Sequence, residues 1–208
     1  MKILVLGATG PTGRHVINSA LKSGDAVTVL ARNPAALSDL SGRITVLRGD
    51  ATLERDLAEA MRGQDAVISA LGRGNSLAAK ALFSHAAAAV IDAAGKTGVS
   101  RLVWMSSFGV GDTFGSANLL QKFLFRTVLH GIYADKAIAD ATIRASGLDW
   151  TLVYPTALTN GPAKGTYRVS DRIEMKGLAK ISRADVADFM QRAAHDRALI
   201  RRDAVITE

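Results

Sequence analysis

The sequence predicts an α/β fold: a doubly wound parallel sheet with helices on both faces, in one domain spanning residues 1–208. Three observations carry that expectation. Short apolar runs alternate six times with helical stretches along the chain. The first of these runs is continuously apolar, as a strand buried on both faces requires. The connections are short, so each right-handed crossover must return over the sheet and cover it. No repeat, low-complexity tract or Pro- or Ser-rich linker divides the 208 residues, enough to bury one such core.

Residues 2–6 (KILVL) form the first predicted strand, and the segment after Gly10 reads as a helix to about Ser23. AVTVLA (26–31) is the second strand and leads into a short helix from Asn33. ITVLRG (44–49) is the third, followed by TLERDLAEAMRG (52–63), a helix with Thr52 as its expected cap. DAVISAL (65–71) and RLVWMSS (101–107) are the fourth and fifth strands, separated by an Ala-rich helix from about Ser76 to Lys96. Residues 133–146 read as a helix closed by Gly147, then DWTLVYP (149–155) as the sixth strand and SRADVADFMQRAAH (182–195) as a capped helix. The less regular segments at about 108–132 and 158–181 are expected on the substrate side.

Composition narrows the chemistry. The chain has no cysteine, which removes disulfides, thiolate metal sites and cysteine nucleophiles together, and no metal site is expected. The apolar run of MKILVLGATG is too short for a signal segment or a membrane span, so a cytoplasmic protein without a membrane partner is expected. Lys and Arg outnumber Asp and Glu by 26 to 19, yet they are scattered and form no basic stripe, so nucleic acid is not an expected partner. A positive field suits capture of a small anionic ligand.

The residues from Gly7 to Gly13 (GATGPTG) form a GxxGxxG loop between the first strand and the first helix. Gly7 and Gly10 permit the turn and let the backbone N–H groups around Thr9, Pro11 and Thr12 approach a pyrophosphate, while Gly13 permits helix–strand packing. A Rossmann-type dinucleotide site follows. The end of the second strand selects the cofactor: a carboxylate there accepts ribose hydroxyls, whereas an arginine pairs with a 2′-phosphate. Here the position is Arg32, and Asp25 lies at the opposite end of the strand, so NADPH is expected. Arg14 is a second phosphate candidate or a solvated helix residue. Asp50 reads equally as an adenine acceptor flanked by Ala51 or as a helix-start carboxylate. Leu71 and Gly72, at the end of the fourth strand, are expected over the adenosine or pyrophosphate.

GATGPTG (7–13), VTVLAR (27–32), GQDAVI (63–68), RLVWMSS (101–107), RASGLDWTLVYP (144–155), GTYRV (165–169) and ISRADVADFM (181–190) together resemble the atypical short-chain dehydrogenase/reductases. The nearest branch is that of NADPH-dependent flavin and biliverdin reductases and NmrA-like proteins. That resemblance implies a monomeric reductase of flavins, quinones or linear tetrapyrroles. It also implies catalytic roles for Ser107, Lys136 and Tyr133, with Ser106 and Pro155 beside the cofactor. The family's Tyr-x-x-x-Lys spacing would place tyrosine at Ile132, and Tyr133 is shifted by one position, about 100° on a helix. The branch's histidine after the proline is replaced by Thr156, with His130 as a candidate substitute donor or a structural residue. Phe108, Phe114, Phe123 and Phe125 either line a pocket for a flat ring or anchor their segment. The competing functions are a redox sensor that holds cofactor without turnover, and an epimerase or dehydratase.

Overall fold

Four of the five residues of β1 (Lys2–Leu6) have no solvent exposure, as a strand covered on both faces must. The computed structural model describes residues 1–72, 81–110, 130–171 and 179–208. Within them, β1 is followed by β2 (Ala26–Ala31), β3 (Thr45–Arg48), β4 (Ala66–Ser69), β5 (Arg101–Met105) and β6 (Asp149–Pro155). Then come β7 (Ala157–Thr159), β8 (Arg168–Ser170), β9 (Lys180–Ser182) and β10 (Arg202–Thr207). The helices are α1 (Pro11–Lys22), α2 (Glu54–Met61), α3 (Leu82–Thr97), α4 (His130–Ala145) and α5 (Arg183–His195), with a 3₁₀ segment over Pro34–Leu40.

The eight-stranded sheet runs β3-β2-β1-β4-β5-β6-β10-β8 and is parallel except where β8 meets β10. Strands β7 and β9 form a separate parallel pair. Side chains leave β1 alternately. Ile3 and Val5 join Val16 and Ile17 of α1 and Val186 and Met190 of α5, whereas Leu4 and Leu6 join Leu57, Phe83, Val90 and Ile143 from α2, α3 and α4. The sheet is thus doubly wound, and the expected fold class is observed. Chain order reverses between β1, which exits to β2, and its other neighbour β4, and that reversal opens the crevice where this architecture binds ligands.

Two local expectations are corrected and one strand is added. Thr52 does not cap α2, which begins at Glu54 behind Leu53; the Thr52 hydroxyl and N–H instead donate to Asp50 Oδ1 at 2.8 and 2.9 Å. Gly147 is not a left-handed terminator, since α4 already ends at Ala145, whereas Gly98 at φ +76° does close α3. The last parallel strand, β10, was not expected, because its pairing to β6 is a long-range contact that the six-residue RDAVIT pattern does not express. Among the described residues no helix is long and apolar enough to cross a membrane.

Candidate active site

A cleft of about 490 Å³ runs along the carboxyl edge of the sheet, from β2 and β3 across β1 and β4 to β5 and β7. Its floor is the loop between β1 and α1. Gly7 has φ +77°, and a side chain there would meet the Ala70 carbonyl oxygen at 2.5 Å, so both conformation and space demand glycine. The Gly10 N–H closes the turn onto the Gly7 carbonyl at 3.0 Å. A Cβ on Gly13 would collide with that same carbonyl, which is how the helix seats against the strand. Helix α1 then starts with Pro11, with no side-chain cap and no acidic residue in its first turn. Its N-terminal dipole therefore meets no acid from its own first turn and faces the cleft, the arrangement a diphosphate requires.

Gly7, Thr9, Gly10, Pro11, Thr12, Arg32, Asp50, Ala51, Leu71 and Gly72 all line this cleft, so most of the cofactor residues expected from sequence are brought together. Arg32 is exposed beyond the tip of β2 and forms no ion pair among the described residues. Asp25 sits at the other end of β2, where it accepts hydrogen bonds from the Met1 ammonium and Gln191 at 2.8 Å each. Asp50 lines the cleft and uses Oδ1 on Thr52. Arg14 does not line the cleft: its guanidinium pairs with Asp39 at 2.7 Å and bonds the Ala36 carbonyl.

Beyond Met105, which lines the cleft, β5 runs into Ser106 and Ser107. Lys136, buried on α4, donates from Nζ to Ser107 Oγ at 2.8 Å and to the Ser106 carbonyl at 3.0 Å. The Phe83 ring centroid lies 4.7 Å from the same Nζ. Burial pushes the lysine down to about 8, against the opposing attraction of Asp140 and Asp135. Ser107 is half-buried and Lys136 buried, so the serine is the more accessible member of the dyad.

Three expected site residues do not line the cleft. Ser106 does not touch the cofactor cleft, since its hydroxyl points inward and donates to Asp140 Oδ2 at 2.7 Å. Pro155 is buried, and its carbonyl accepts the Phe108 N–H at 3.0 Å, tying the turn after β5 to β6. Tyr133 is half-buried on α4: its hydroxyl donates to the Phe108 carbonyl at 3.2 Å, and burial raises it to about 12. The register difference visible in sequence thus turns Tyr133 into a strut between α4 and that turn. Thr156 faces away and donates to Thr207 at 3.1 Å. Phe108 is buried in the core, while Phe114, Phe123 and Phe125 lie outside the described residues.

Two residues went unnoticed in the sequence. Asp140 accepts from Ser106 and from Tyr154 at 3.1 Å, and Arg144 links that tyrosine to Asp203. Burial lifts the Asp140 carboxyl to about 6. Its position four residues after Lys136 on one helical face was the available signal. Arg183, at the start of α5, lines the far end of the cleft, and nothing local in ISRADVADFM marks it.

A glycine cradle at a helix start, at the switch point of a doubly wound sheet, defines a dinucleotide-binding protein. The chain belongs to the NAD(P)H-binding family, whose model matches residues 7–197. The resemblance read from the motifs holds at this level. Among curated relatives, the chain is 34% identical to oxidoreductase aprR of Aspergillus flavus over 78% of its own length, although it spans about half (48%) of that protein. It is 28% identical to the uncharacterized sugar epimerase YhfK of Bacillus subtilis, covering 90% of this chain and 85% of that one. Among solved structures, ChuY, an anaerobillin reductase from Escherichia coli O157:H7, superposes with a TM-score of 0.84 at 26% identity, over 99% and 96% of the two chains.

Proposed function

We propose that the protein is an NADPH-dependent reductase of a small conjugated substrate such as a flavin, quinone or linear tetrapyrrole. The observation that carries this reading is the 2.8 Å contact from Lys136 Nζ to Ser107 Oγ at the end of β5, beside the Met105 wall of a cleft built for a dinucleotide. The N–H groups from Gly10 onward would take the diphosphate, and Arg32 the 2′-phosphate. When bound, the reduced nicotinamide supplies the hydride.

What remains is a proton, and the dyad is arranged to give one. Ser107 accepts the lysine's hydrogen bond, so its own hydroxyl proton is free to point outward to a substrate oxygen or nitrogen. Lys136 can replace that proton, because burial has brought its acidity close to the working range. The likeness to the anaerobillin reductase ChuY supports the conjugated-substrate reading, and the oxidoreductase relative supports the reaction type.

Tyr133 favours a second reading. With its hydroxyl engaged on Phe108, the family's usual acid is missing, as suits a sensor that holds cofactor without turnover. NADPH oxidation by purified protein, with FMN, a quinone and a linear tetrapyrrole offered in turn, separates the two. Turnover that collapses in Ser107→Ala establishes the reductase; tight NADPH binding with no oxidation of any acceptor establishes the sensor.

A further inference from the structure

Arg183 opens α5 and shares the cleft wall with Met105 and Leu158. Arg14 is neutralised by Asp39 and Arg144 by Asp203, while Arg32, among the described residues, stands unpaired at the opposite end of the cleft. Arg183 is not neutralised. It donates from Nη1 to the Asn160 side-chain oxygen at 2.7 Å and to the Leu158 carbonyl at 3.4 Å, both uncharged. Among the described residues no carboxylate pairs with it, and its Nε and Nη2 make no hydrogen bond. The nearest acid in sequence, Asp185, is buried and committed to Ser182 and to the N–H groups of Lys164 and Gly165. The guanidinium is therefore oriented by neutral partners while its charge is left uncompensated.

Its place in the cleft says what that charge is for. Arg32, Asp50 and Ala51 occupy the end at β2 and β3, and the glycine loop occupies the middle. A dinucleotide with its 2′-phosphate at Arg32 and its diphosphate over the loop extends toward Met105 and Leu158, the end where substrate must meet it. The free Nε–Nη2 edge is the two-pronged face that matches a carboxylate or phosphate, and the neighbouring Met105 and Leu158 are apolar. Resting on the reductase reading, we propose that Arg183 is a specificity-determining residue that selects substrates with an anionic group on a flat apolar body, in preference to uncharged quinones.

Two matched pairs test this: FMN against riboflavin, which differ by a phosphate, and a linear tetrapyrrole dicarboxylate against its dimethyl ester. Affinities are measured on the NADP⁺-loaded protein by fluorescence quenching, and KM values by NADPH oxidation. The wild type should bind the charged member of at least one pair about tenfold more tightly, and which pair responds tells phosphate from carboxylate recognition. Arg183→Gln should erase that preference by weakening only the charged member, with Arg183→Lys in between and NADPH affinity unchanged. Equal affinities within both pairs, an equal loss for charged and neutral members, or a matching loss of NADPH affinity would each overturn the assignment. Turnover without charge preference removes the inference and leaves the reductase standing. An Arg183-dependent preference without any NADPH oxidation keeps the anion site and removes the reductase.

Discussion

Arg32 and Lys136 are both cations near the cleft, and their surroundings give them opposite properties. Arg32 stands exposed with no ion pair among the described residues, so a 2′-phosphate would be its first charged partner. Arg32→Ala should weaken NADPH by about 2 kcal/mol, the size of a charge-assisted contact, and leave NADH unchanged in calorimetric titration. Equal losses for both cofactors would remove the arginine from phosphate recognition. Lys136 is buried, and desolvation brings it to about 8. Its charged form is the one that can resupply Ser107, so the single-turnover rate of NADPH oxidation should hold below pH 8 and fall as pH rises through it. Lys136→Met should abolish that fall together with most of the rate. A flat profile in the wild type would place proton delivery elsewhere.

At the scale of elements, α1 and α4 show how a register decides chemistry. Helix α1 can seat against the end of β1 only because Gly13 has no side chain to strike the Gly7 carbonyl. Gly13→Ala should therefore destabilise the fold by about 1–3 kcal/mol through overpacking, and weaken NADPH and NADH alike. Urea unfolding and calorimetry together check this; a variant with full stability and affinity would show that the contact relaxes without cost. On α4, Tyr133, Lys136 and Asp140 follow one another at three and four residues, so all three face the sheet. The tyrosine meets the turn after β5, the lysine meets both serines, and the aspartate meets Ser106 and Tyr154.

Across the whole molecule, the chain from Asp140 through Tyr154 and Arg144 to Asp203 ties α4 to β6 and β10. Burial raises the Asp140 carboxyl from 3.8 to about 6, so the folded state holds the extra proton more strongly than the unfolded chain. The stability this group contributes is present below pH 4 and is lost as pH rises through 6. Asp140→Asn has no such dependence, and its melting temperature relative to wild type should climb between pH 4 and pH 7. A constant difference over that range would show that the carboxyl is not perturbed.

How much could be read beforehand follows from how local each feature is. Six of the strands, and the glycine loop with Arg32, are written in consecutive residues, because a strand buried on both faces needs an apolar run and a phosphate cradle needs glycines at fixed spacing. β10, the inward turn of Ser106 and the engagement of Tyr133 were hidden, since each depends on a partner far away in the chain. The amino-acid order by itself determined a doubly wound sheet with a dinucleotide cradle at the end of its first strand. Only the tertiary structure decided that Lys136 reaches Ser107 and that Arg183 enters the cleft without a counter-charge. Those contacts join α4 to β5 and α5 to the β7 edge, and no local pattern records how helices dock.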